Sequence, residues 1–149
     1  MRLDSGEWHT LQFGPLWVLS ALAGTHTRFE PYELEAFWDA VVAVSLRTPE
    51  PARQILVSTA ADRTGLLLDF ELDDRPVVSG LAHILAVLSR QPPATGEDYK
   101  LALLRIGSAV ARARGPYGRK IAAKDHQLLL LIATLLDVDS LPRPDGVPV

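Results

Sequence analysis

The chain reads as one all-α domain of about six to seven helices, built on two similar helix-loop-helix units. Three observations lead there. Its 149 residues suit a single domain with a real core. Hydrophobic residues make up 48% and charged residues 22%, the balance of an ordinary globular protein. Most apolar positions recur at helical spacing, with glycine and proline at the breaks.

Glu7 to Phe13 forms the first helical piece, and Gly14-Pro15 is expected to break or restart it, because proline is best tolerated at a first helical position. Leu16 to Ala23 is apolar almost all round, which suits a central helix. Gly24 to Arg28 is a loop. Pro31 opens the next helix, which runs to about Leu46 and stops before Thr48-Pro49. Glu50 to Ala60 reads as a helix, and Asp62-Arg63-Thr64-Gly65 as a turn. Leu66 to Asp74 is ambiguous. Leu66, Leu68, Phe70 and Leu72 alternate as in a strand, so a small hairpin near 55–72, and with it an α+β fold, is the alternative. The helical surroundings favour a helix.

Pro76 to Arg90 is amphipathic, with Val77, Leu81, Ile84, Leu85 and Leu88 on one face. Gln91 to Gly96 is a loop. Glu97 to Arg114 is a helix ended by Gly115-Pro116, and Ala122 to Leu136 is the last one. The domain is thus expected over 1–139, with a proline-rich tail over 140–149.

Composition narrows function. No cysteine is present, which removes disulfides, thiolate metal sites and cysteine nucleophiles. A net charge of −3 gives no reason to expect nucleic acid. No apolar run is long enough for a membrane span. Leu16 to Gly24 is a short apolar run, but Asp4 and Glu7 precede it where a signal peptide needs positive charge, so a cytoplasmic protein is expected. Arginine outnumbers lysine twelve to three and asparagine is absent, as in heat-adapted proteins or a GC-rich coding sequence. No nucleophile, zinc-helix, phosphate-loop or dinucleotide motif is present, so an enzyme is not the leading expectation.

Displacing the chain by 92 residues lays Leu16–Leu46 on Ser108–Val138. Each copy is a helix, a glycine-led loop, an apolar anchor (Phe29, Ile121) and a carboxylate four residues on (Glu33, Asp125). At about 100° per residue, Glu33 falls near the core face set by Phe37, Ala40, Val41 and Val44. Asp125 does the same with Leu128, Leu129, Ile132, Leu135 and Leu136. A buried unpaired carboxylate costs several kcal/mol, so each acid should have a partner. Two roles are open: capping the loop and helix N–H groups, or ligating a divalent cation. The cation reading draws in His26, and the spacing His26…Glu30…Glu33 resembles a ligand run.

These segments resemble the TerB-like family, named for tellurite-resistance protein B. The first copy is ALAGTHTRFEPYELEAF, Ala21 to Phe37, and the second is AVARARGPYGRKIAAKDHQLL, Ala109 to Leu129. Glu7-Trp8 before Gly14-Pro15 fits the family's opening helix, and the likeness covers roughly two-thirds of the chain. It implies an all-helical fold and a link to tellurite and other chemical-stress responses. It also implies divalent-cation binding in some members and an accessory role without known activity in others. Carried over, Glu33 and Asp125 stand at the family's acidic positions. The loop aspartates are missing: Thr25-His26-Thr27 and Pro116-Tyr117-Gly118 stand there.

Lys100 to Lys124 is basic and holds no acid. Arg105 and Arg112 share a helical stripe, and with Arg119 and Lys120 they form either a solvated face or a patch for an anion or an acidic partner. Asp62, Asp69, Glu71, Asp73 and Asp74 make a matching negative region, so head-to-tail association of copies is conceivable. His9 has no evident partner, His83 points away from the core, and His126 points about 100° away from Asp125. The expected function is a non-enzymatic module acting through protein partners. A divalent-metal binder and an enzyme without a recognisable motif are the alternatives.

Overall fold

A computed structural model describes residues 2–26, 28–115 and 120–138. Seven helices follow one another, with no strand among the described residues: α1 (Ser5–Ala23), α2 (Pro31–Ser45), α3 (Ala52–Ala61), α4 (Arg63–Leu72), α5 (Val77–Leu88), α6 (Pro93–Arg114) and α7 (Ala123–Leu135). None of them is long and apolar enough to cross a membrane. Arg119 and the expected tail over 140–149 lie outside the described residues.

The break at Gly14-Pro15 is not there. α1 runs through both residues without interruption. Proline has no N–H, so the carbonyl four residues back, that of Leu11, loses its helical donor. The Tyr99 hydroxyl on α6 donates to that carbonyl at 2.5 Å, and Tyr99 is fully buried. Gly14 makes room for it: a Cβ there would run into the Tyr99 hydroxyl and crowd Ile84. The proline is thus tolerated because a distant side chain supplies the missing hydrogen bond.

α1 is the axis of the fold. From Thr10 to Leu22 every residue except Gln12 and Ala21 is buried, as expected for a helix apolar on all sides. α3, α4, α5, α6 and α7 all pack on it. A capping box closes its start: Glu7 N–H donates to Asp4 Oδ1 at 2.7 Å, and Asp4 N–H to Glu7 Oε1 at 3.1 Å. Gly24 closes its end with φ 71°, the left-handed cap that glycine adopts without strain.

The second helix of each sequence unit also touches the first helix of the other unit. α2 packs chiefly on α6, and α7 packs on α6 and α1. These contacts bring the two carboxylates together.

The alternative hairpin is replaced by two short helices hinged at Asp62, whose side chain caps α4 by accepting from Gly65 N–H at 3.3 Å. The alternation of Leu66, Leu68, Phe70 and Leu72 splits by helical geometry. Leu66 and Phe70, four apart, are buried; Leu68 and Leu72 face out. At the other end of α5, the expected loop over 91–96 is shorter, because Pro93 sits at a first helical position and α6 starts there.

Candidate functional site

Glu33 and Asp125 meet on one guanidinium. Arg114, in the last turn of α6, pairs with Glu33 through Nη1 and with Asp125 through Nε at 3.2 Å. Both acids are buried and sit in the first turns of α2 and α7. Each is therefore also at the positive end of a helix dipole, while Arg114 is at a negative end. Glu33 has a second task. Its Oε1 accepts from Glu30 N–H at 3.2 Å, half of a capping arrangement. The expectation of inward acids with partners therefore holds, and the partner is a cation from the chain itself.

His26 does not join them. Its Nε2 donates to the Phe70 carbonyl at 2.8 Å, and its ring stacks on Phe70 with centroids 4.2 Å apart. It ties the α1–α2 loop to α4. Among the described residues no three His, Asp or Glu side chains gather as a metal-ligand set. The donor set around Glu33 and Asp125 does not fit a resident cation either: Arg114 occupies the space between the two acids, and a hard divalent ion wants about six oxygens.

The basic stripe is less open than a solvated face. Arg105 and Arg112 are only partly exposed. Burial, and then the charge of Arg47, hold the Arg105 guanidinium below its ordinary value. Among the described residues Arg112 Nη1 is buried without a hydrogen-bond partner. Lys120 is exposed and Arg119 lies outside the described residues.

A second polar cluster has no counterpart in the sequence reading. Arg75, in the link between α4 and α5, forks onto Asp73: Nε lies 3.1 Å from Oδ1 and Nη2 lies 2.9 Å from Oδ2. Its Nη1 donates to Thr10 Oγ1 at 3.2 Å and to His83 Nδ1 at 3.0 Å. The guanidinium also lies 4.9 Å over the Trp17 ring. Arg75 thereby joins α1, the α4–α5 link and α5 beside a cleft of about 520 Å³, which His9 and Arg90 also line. His9 has partners after all. Gln12 Nε2 donates to Ser58, so Gln12 Oε1 accepts from His9 Nδ1 at 3.2 Å, while His9 Nε2 lies 3.5 Å from Asp69. The visible signal was Asp73 and Asp74 in the negative region of the sequence, with Arg75 directly after them.

This cluster carries a pH dependence. Burial pushes the Asp73 carboxyl up, but the Arg75 hydrogen bonds and charge, with His26 nearby, outweigh it and hold the group below its ordinary value of 3.8. A depressed folded value means that the stabilisation is complete above the unfolded carboxyl's range, about pH 4, and is lost as pH falls through the folded value. Urea midpoints measured on acidification are expected to fall less steeply for Asp73→Asn than for the parent chain. Equal slopes would show that Asp73 does not contribute.

No family model matches the chain, and searches of curated proteins and solved structures give no match.

Proposed function

We propose that the chain is a TerB-like accessory module that acts through protein partners, in a bacterial response to tellurite or metal stress. The observation that carries this reading is the meeting of Glu33 and Asp125 on Arg114. The two acids stand at matching places in the two sequence units, and the fold joins them, as a repeated motif with one shared purpose requires. Both carboxylates are committed to a guanidinium, so neither is free to act as a general acid or base. In this chain Arg114 supplies the positive charge that a bound cation would bring. The module then works without metal, and its activity lies on its surface.

Thermal unfolding tests this. The parent chain and Glu33→Gln/Asp125→Asn are treated with chelator, then with millimolar Ca²⁺, Mg²⁺, Mn²⁺ or Zn²⁺. The expected result is no metal-dependent shift in either protein, with the double variant less stable throughout. An ion at 100 times its dissociation constant adds about 2.7 kcal/mol, several degrees at this size. A rise of that size in the parent alone would overturn the metal-independent reading and make the acids a cation site.

A further inference from the structure

We infer that the chain associates with copies of itself head to tail, the outer face of α4 on one copy seating the outer face of α7 on the next. This names the partner of the interaction module proposed above and rests on that reading.

The α4 face begins with two leucines on the wrong side of a helix. Leu68 and Leu72 are 56% and 85% exposed. Four residues apart, they form one ridge. At about 100° per residue Asp69 flanks that ridge on one side and Glu71 on the other. These carboxylates, with Asp73 and Asp74, crowd the end of α4, where the helix dipole disfavours negative charge. Arg75 pairs with Asp73, and His9 lies 3.5 Å from Asp69, which leaves Glu71 and Asp74 without an ion-pair partner among the described residues. An apolar ridge beside the unpaired acids Glu71 and Asp74 is locally unfavourable, and a cationic apolar partner relieves both.

The chain itself carries such a partner. On α7 the buried residues are Asp125, Leu129, Ile132 and Ala133. The opposite side presents Leu130 and Leu131, 44% and 53% exposed. Lys124 lies on that side and exposed Lys120 just precedes the helix. Within α7 itself no carboxylate faces outward, because its one acid, Asp125, points inward to Arg114; exposed Asp137 lies just past the helix, at the end away from Lys120 and Lys124. The two faces are complementary in charge and alike in apolar content. α4 packs on α1 and α3, and α7 on α1, α5 and α6, so the faces are not packed on each other within one copy. The contact is heterologous, and it propagates or closes into a ring. Two leucines a side make a small interface, so association is weak and concentration-dependent.

Light scattering on the full chain, from micromolar to millimolar concentration, tests this with two surface variants. Leu68→Ser/Leu72→Ser blocks the α4 face, and Leu130→Ser/Leu131→Ser blocks the α7 face. The mass of the parent is expected to climb from 16.3 kDa past the dimer. Each blocked variant alone is expected to stay monomeric, and an equimolar mixture to stop at the dimer, since each supplies the face the other lacks. In a second pair, Glu71→Lys and Lys124→Glu each weaken association, and the chain carrying both recovers it. A parent that stays monomeric throughout overturns the inference, as does a blocked variant that self-associates like the parent. Circular dichroism of each variant shows whether it is folded; should a serine variant unfold, the charge pair decides. Failure here leaves the metal-independent module intact, and failure of that reading shows separately, as a metal-dependent shift in thermal unfolding.

Discussion

Arg114→Met is expected to destabilise the fold by about 3–5 kcal/mol, the usual loss when one partner of a buried ion pair is removed. At this size that lowers Tm by roughly 6–20 °C. The loss has two sources: the attraction disappears, and two carboxylates remain desolvated and close together. Glu33 is only 5% exposed, so water cannot take over. The second source can be isolated. Adding Glu33→Gln and Asp125→Asn to Arg114→Met removes the stranded charges, and most of the lost stability is expected to return. The comparison is made by chemical denaturation of parent, single and triple variants. A single variant within about 1 kcal/mol of the parent would show the cluster to be hydrated and energetically minor.

Tyr99→Phe is expected to cost about 1–3 kcal/mol, because it strands the Leu11 carbonyl in the core. A ring of nearly the same shape remains, so packing contributes little. Pro15→Ala restores a backbone N–H able to reach that carbonyl. In the Pro15→Ala background, Tyr99→Phe is therefore expected to cost clearly less. The four proteins form a double-mutant cycle, and a coupling of about 1 kcal/mol or more is the expected outcome. Equal costs in both backgrounds would mean that the hydroxyl does not stand in for the missing helical donor.

These two cases mark what the sequence makes legible. Helical angle alone placed Glu33 and Asp125 inward, and both are buried. The cost of burying charge required partners for them. It did not say which, because Arg114 is 81 residues from Glu33 and lies in a run that looks like a solvated basic face. The same limit explains α1. Local rules for proline predict a break, and the rule is correct locally. A hydroxyl 88 residues away removes the penalty, and periodicity carries no trace of it. At Leu66 to Leu72 the difficulty was of another kind. Four apolar residues at every second position fit a strand, yet the helix buries only Leu66 and Phe70. The other two leucines broke the helical pattern because they serve no purpose inside the molecule. His26 was drawn toward the acids by spacing, and the loop turned it to Phe70 instead.

The central place of α1 also bears on how the chain is made. α1 leaves the ribosome before the five helices that pack on it, α3 to α7. Its Leu11 carbonyl waits for Tyr99, and at about 5–20 residues per second that interval is on the order of ten seconds. Throughout it, Phe13, Leu16, Trp17 and Leu19 have no finished core to enter. A nascent chain of this design presents a helix that is buried on almost all sides before the helices that bury it are made. That is the kind of segment that chaperones waiting at the exit tunnel hold.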